Sequence, residues 1–265
     1  MTYQGNLKKM KVVLNNPVEY TLELGEDKIH MNDLIGKEIL FKYDGVINCK
    51  ICGRKIKKTF GEGFCYEHFI NHPANSECII RPELCEGHLG KGRDPEWELE
   101  NHVQPHVVYL AIASGLKVGV TRGTQVPTRW IDQGAWKAIR LAEVPNRFMA
   151  GQIEVALKDH ISDKTHWQKM LKNELADHLD IIEEKQKMQA FIPDELSQYY
   201  SSNDEIVEIS YPALQFPTKV KSLSFDKLPE VGGKLEGIKG QYLIFDEGRV
   251  INLRKFTGYF VELVV

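Results

Sequence analysis

The clearest alternation in the chain is VEYTLEL (residues 18–24), where every second residue is apolar, the period of a half-buried β-strand. KVVL (11–14) and EILFKY (38–43) flank it with β-branched and aromatic residues, and Asp44-Gly45 closes the run with a turn signal. Residues 48–106 break this pattern: they are loop-rich and poor in aliphatic runs, too poor to bury a core unaided. VVYLAI (107–112) and LKVGVT (116–121) then read as antiparallel strands joined by Ala113-Ser114-Gly115. Pro127-Thr128 opens a predicted helix running to about Arg140, and LAEV (141–144) a short third strand. Asn146 starts a second helix through RFMAGQIEVALKDH. A third is expected from about Ser162, with Trp167, Met170, Leu171, Leu175, Leu179 and Ile182 at helical steps, stopping before Pro193. From Val220 onward the pattern returns to strands, with a hairpin at Asp246-Glu247-Gly248.

The predicted class is α+β. Its expected segments are a β-rich stretch (1–47), a metal-binding module (48–106), an α/β core with a C-terminal helix (107–195) and a β-rich tail (196–265). The tail is expected to pack with the first segment.

Composition changes little: 42% hydrophobic and 27% charged residues suit a globular protein. No apolar run reaches the roughly 20 residues of a membrane helix, and MTYQGNLKKMKVVL lacks the apolar core of a signal peptide. A cytoplasmic location is the expectation. The net charge of −3 gives no global argument for nucleic acid, but its distribution is uneven. Lys50, Arg54, Lys55, Lys57 and Lys58 follow one another with no acid between, whereas the charges within residues 180–195 are mostly acidic, as on a solvated helix face.

All 5 cysteines lie between Cys49 and Cys85, an odd, clustered set that argues for metal over a disulfide framework. Cys49-Lys-Ile-Cys52 and Cys65-Tyr-Glu-His68 form two tight pairs, and four such ligands in a tetrahedral array suit a structural Zn²⁺. A looser set, Cys78, Cys85, His88 and His102, with His72 or His106 as substitutes, predicts a second zinc; the plainer reading has His102 and His106 merely flanking the next strand. A zinc-stapled turn holds cations well against phosphates, so the five basic residues are candidate nucleic-acid contacts, with a solvated basic loop as the alternative.

In the α/β segment, Tyr109 lies on the first strand, Lys117 on the second, Arg129 near the start of the first helix and Glu154 in the second helix. These residues, in the order strand, strand, helix, strand, helix, resemble the core of the GIY-YIG nucleases over residues 107–172. Only the tyrosine of the first motif is kept, in Val-Val-Tyr, and Lys-Val-Gly puts lysine where the second tyrosine is usual. The spacing is shorter than typical, and the histidine common in the first helix is missing from Asp132-Gln133-Gly134. From about Asp44 to the C-terminus the chain also resembles an uncharacterised bacterial family in which zinc-type cysteines precede a segment like KVGVTR…TRWIDQGA; that likeness implies no activity.

The nuclease resemblance implies a phosphodiesterase centre. Tyrosine, with a pKa of about 10, needs a cation such as Lys117 to act as a base. Arg129 would grip the phosphate, Glu154 would hold Mg²⁺ or Mn²⁺, and Thr121 and Arg122 would add substrate contacts. Each has a plain alternative: a core aromatic, a surface lysine, a helix-terminal arginine, and a glutamate paired with Lys158. Trp130 is expected in the core. The expected function is thus a zinc-containing, metal-dependent endonuclease acting on DNA or RNA. A non-catalytic nucleic-acid-binding zinc protein and a structural zinc protein of an assembly are the alternatives.

Overall fold

The computed structural model describes residues 1–161 and 166–265. The N-terminal stretch forms β1 (Thr2–Asn6), β2 (Lys11–Val13), β3 (Glu19–Leu24), β4 (Asp27–His30), β5 (Glu38–Asn48), β6 (Lys55–Ile56) and helix α1 (Tyr66–Asn71). The middle holds α2 (Pro95–His102), β7 (His106–Ile112), β8 (Leu116–Arg122), α3 (Thr128–Asp132), β9 (Lys137–Val144), α4 (Arg147–Lys158), α5 (Trp167–Leu171), α6 (Ile181–Gln189) and β10 (Val207–Glu208). The tail adds β11 (Lys221–Ser222), β12 (Glu230–Lys239), β13 (Tyr242–Phe245), β14 (Arg249–Asn252) and β15 (Tyr259–Val264). The fold is α+β, with several separate sheets.

The chain forms two compact units. The first is built from residues 1–69, 131–133 and 209–265, the second from 70–130 and 134–208. Residues 48–106 are shared between them.

In the first unit, strands from both chain ends meet in one sheet, ordered β1-β15-β5-β12-β13-β14-β11, with β6 paired to β5. β2, β3 and β4 form a separate meander. Alternation does here what it predicts: Tyr20, Leu22 and Leu24 point inward along β3, and Ile39 and Phe41 along β5. Asp132 is tied into this unit by Lys9 and by the Gln241 Nε2 donor at 2.8 Å.

Lys239, at the end of β12, has no solvent exposure, and its ammonium lies 5.2 and 5.3 Å from the rings of Tyr211 and Phe216. Burial disfavours the charged form and pushes its pKa down to about 7. Between pH 7 and the ordinary lysine range the unfolded chain therefore binds a proton that the folded chain does not, so stability rises with pH across that window. Lys239→Met is expected to raise stability at pH 7 by roughly 1–3 kcal/mol and to flatten that rise. Urea unfolding at pH 7 and pH 9.5 checks this; an unchanged pH slope in the variant refutes the account.

In the second unit the sheet order is β10-β9-β7-β8. β7 and β8 pair antiparallel around the 113–115 turn, with Tyr109 opposite Gly119 and Ala111 opposite Lys117. Val108, Leu110 and Ile112 face α4 and pack against its Ala150, Ile153 and Leu157. Asn146 caps α4 by accepting from Met149 N at 3.0 Å.

Two helix expectations are corrected. The helix expected to run to Arg140 ends at Asp132, and residues 137–144 are one eight-residue strand. Gly134, at φ 73°, turns the chain there, and Ala138, Ile139, Leu141 and Ala142 are buried in the sheet. The long third helix is two short ones, α5 and α6: Asn173 at φ 58° follows the first, and Asp180 starts the second by accepting from Ile182 N at 2.8 Å. Its expected start at Ser162 lies outside the described residues.

Candidate metal centres

At the end of β5 the chain turns tightly, with Cys49 N–H donating to Arg54 O and Gly53 N–H to Cys49 O, each at 2.9 Å. This turn aims the thiols of Cys49 and Cys52 to one side. Cys65 immediately precedes α1, and the helical rise brings His68 back beside it. The four ligand atoms lie within 4.8 Å of one another. His68 Nδ1 is 3.5 Å from Cys49 Sγ and 3.2 Å from Cys65 Sγ. A zinc tetrahedron with Zn–S of about 2.3 Å and Zn–N of about 2.0 Å has S···N edges of about 3.5 Å, so the set fits that ion. Burial raises the Cys49 pKa, but the N–H groups of Cys52, Cys65 and Ile51 and the His68 ring outweigh it and bring the thiol to about 6. A thiolate ready at neutral pH is what a metal needs.

The second group lies in the other unit and is assembled differently. Asp94 caps α2 by accepting from Trp97 N at 3.1 Å, and Pro95 takes the first helical position. The i, i+4 step then places Glu98 and His102 on one face, in direct contact. Cys78 and Cys85 come from short 3₁₀ turns facing that helix, with Cys78 Sγ 3.8 Å from His102 Nδ1. The ligand atoms of Cys78, Cys85, Glu98 and His102 all lie within 4.8 Å of one another, and all four residues are buried. Among the causes acting on Cys78, the Cys85 thiol comes first, donating to its sulfur and holding it down to about 4, while Cys85 is pushed up. Burial raises the Glu98 carboxyl above its usual range. Three potential anions sharing a buried site need a cation, and two thiolates, a carboxylate and an imidazole suit Zn²⁺.

This corrects the expected fourth ligand. His88 is outside the group; its ring stacks on Phe148 at 4.6 Å. Neither substitute joins it: His72 Nδ1 accepts from Ala74 N at 3.1 Å, and His106, buried on β7, donates through Nδ1 to Gln104 O at 2.7 Å. Glu98, one of three glutamates in an acidic helix, carries no signal in the sequence until its spacing to His102 is weighed.

The two centres differ in exposure: Cys52 is exposed, whereas every ligand of the second group is buried. A chelator is therefore expected to take one zinc rapidly and a second much more slowly. Colorimetric release kinetics check this. Cys52→Ser should abolish the fast phase alone, and a single phase releasing both ions contradicts the assignment.

The four residues of the expected phosphodiesterase centre do not assemble. Tyr109 is completely buried, its ring 5.9 Å from that of Trp130, and a Cβ on Gly119 would meet its hydroxyl at 2.6 Å. Lys117 shares that sheet face by register and Arg129 stands on α3, beside Trp130. Glu154 belongs to α4, which packs on the opposite face of the sheet. There it pairs with Lys158 at 3.5 Å, and burial raises its pKa, with Glu83 adding to the rise. Among the described residues, no group of three or more metal-binding side chains includes Glu154, so the expected Mg²⁺ or Mn²⁺ site has no support. Thr121 is buried, and Arg122 is held by Asn101 at 2.6 Å.

The basic residues do gather. Lys50, Arg54, Lys55, Lys57 and Lys58 are all exposed on the first metal centre's hairpin. Arg54 pairs with Glu67 at 2.7 Å, Lys50 lies over the Phe64 ring at 3.8 Å and Lys58 over Phe60 at 5.0 Å.

The chain belongs to the family described as Protein of unknown function (DUF2797), whose model matches residues 36–261. No curated protein and no solved structure matches it. The family match agrees with the resemblance to an uncharacterised family and does not point to the GIY-YIG nucleases. Among the described residues no helix is long and apolar enough to cross a membrane.

Proposed function

We propose that this chain is a non-catalytic, zinc-stabilised nucleic-acid-binding protein whose contact surface is the hairpin of the first metal centre. The observation that carries the reading is the exposure of five cations on one short turn beside the Cys49, Cys52, Cys65 and His68 group, with Glu67 the acid paired among them. Fixing the turn removes much of the ordering cost that a flexible basic loop meets on binding phosphate. A phosphodiesterase built on Tyr109, Lys117, Arg129 and Glu154 is not part of this reading, because the β-sheet stands between the tyrosine and the glutamate.

Each phosphate neutralised releases condensed counterions, so the logarithm of the binding constant should fall linearly with the logarithm of salt, by about 0.7–0.9 per contact. For three to five cations, fluorescence anisotropy with labelled oligonucleotides is expected to give slopes of about −2 to −4.5. Lys55→Glu, Lys57→Glu and Lys58→Glu together should make the slope shallower and weaken every sequence alike. No binding to DNA or RNA at 50 mM salt, with both zinc ions in place, sinks the proposal.

A further inference from the structure

Within the same unit, a cleft of about 870 Å³ opens beside the first metal centre. Cys49 and Lys50 form one wall, the chain after β1 a second, and the turn into β15 a third. Lys8, Lys9, Lys50 and Arg254 line it, together with one acid, Glu62. Arg254 donates to Glu62 at 2.8 Å and Lys9 is bound to Asp132, so two of the four positive charges are answered. Lys8 and Lys50 are the two further cations of the lining. Apolar surface lies between these cations: Ile51 is 43% exposed, and Phe260 on β15 is only partly covered.

Cationic side chains interleaved with uncovered apolar and aromatic faces suit a ligand that carries charge and a flat apolar surface at once. An unpaired nucleotide has that form: its phosphate meets an ammonium while its base lies on an aromatic or aliphatic face. A duplex keeps its bases inside the stack and offers only a convex backbone. The volume falls within the about 300–1,000 Å³ range of clefts that enclose small ligands, room for a short piece of one strand.

We infer that this cleft seats an unpaired stretch of a nucleic-acid strand, with Lys8 and Lys50 on the phosphates and Ile51 and Phe260 against a base. The inference rests on the nucleic-acid reading above and gives it a preference for single strands.

The test uses the full, zinc-loaded chain, with a fluorescein-labelled fifteen-residue oligothymidylate and its duplex with oligoadenylate at one salt concentration. The single strand should bind at least about ten-fold more tightly. Lys8→Glu combined with Phe260→Ala should weaken the strand about ten-fold or more and the duplex less than about three-fold. Zinc content and thermal unfolding confirm that each variant is folded, and Lys8→Gln alone, a surface change, serves if the pair does not fold. Equal affinity for strand and duplex, or equal loss on both, overturns the inference while leaving nucleic-acid binding intact. Competition by thymidine monophosphate as effective as by the strand also overturns it, assigning the cleft to a free nucleotide. Failure of both probes to bind overturns the nucleic-acid reading itself.

Discussion

Cys85→Ser is expected to leave about one zinc ion per chain instead of two and to unfold the second unit. Structural zinc contributes about 10–16 kcal/mol of apparent binding free energy, which becomes folding free energy because the unfolded chain holds no formed site. A domain's whole stability is only about 5–15 kcal/mol. The site has nothing to fall back on: Cys78, Glu98 and His102 remain buried together, and a serine hydroxyl neither ligates zinc comparably nor neutralises the carboxylate. The turns carrying Cys78 and Cys85 are also short 3₁₀ segments with little core of their own. Metal analysis by mass spectrometry and a thermal melt read the result. A fall of more than about 10 °C in the transition is expected. A variant that keeps both ions, or loses one with an unchanged melt, removes the structural role assigned to this centre. Glu98→Gln should act in the same direction, whereas His88→Ala should leave the zinc content at two.

Gly151→Val should be nearly as damaging, although it lies outside both metal centres. In an exposed helix interior, replacing glycine normally helps, by up to about 1 kcal/mol for alanine. Here α4 packs against the backbone of residues 82–84: a Cβ on residue 151 would overlap Glu83 N and Pro82 C and lie 2.7 Å from Glu83 Cα. Backbone cannot rotate aside as a side chain does, so helix and turn must part, at the upper end of the about 1–3 kcal/mol range for overpacking or beyond. That turn leads directly into Cys85. Arg147, on the same helix, holds Cys78 O at 2.9 Å and Ile79 O at 2.8 Å, so a shift of α4 disturbs both thiol-bearing segments. Reduced stability should therefore come with reduced occupancy of the second zinc. Gln152→Ala, one residue along on the exposed side, is the control and should change neither. A stable Gly151→Val protein with two tightly held ions contradicts the packing argument.

The cysteine spacing made the first centre legible because both of its pairs are local: a Cys-x-x-Cys turn and a Cys-x-x-His step into α1 need only a few residues to converge. The second centre was half legible. Cys78, Cys85 and His102 stood out by residue type, but the choice between His88 and Glu98 depended on α2 being capped at Asp94 and turned so that residues 98 and 102 share its inner face. His88 has the better spacing and the worse position, its ring taken by Phe148. The order of Tyr109, Lys117, Arg129 and Glu154 along the chain suggested convergence, yet order does not say which face of a sheet a helix covers. Odd-numbered residues of β7 face Trp130 and even-numbered ones face α4, and that one-residue alternation separates the tyrosine from the glutamate.

By itself, then, the sequence determined what is set by neighbours a few residues apart: the alternating strands, the hairpin at 113–115, the capped α4, the α+β class and the knuckle at Cys49. Only the tertiary structure decided where helices yield to strands at Gly134, which carboxylate gathers with Cys78, Cys85 and His102, and how Lys8, Lys50 and Phe260 come to line one cleft. Those outcomes depend on which surfaces gain most by being buried together, and side chains remote in sequence settle that competition.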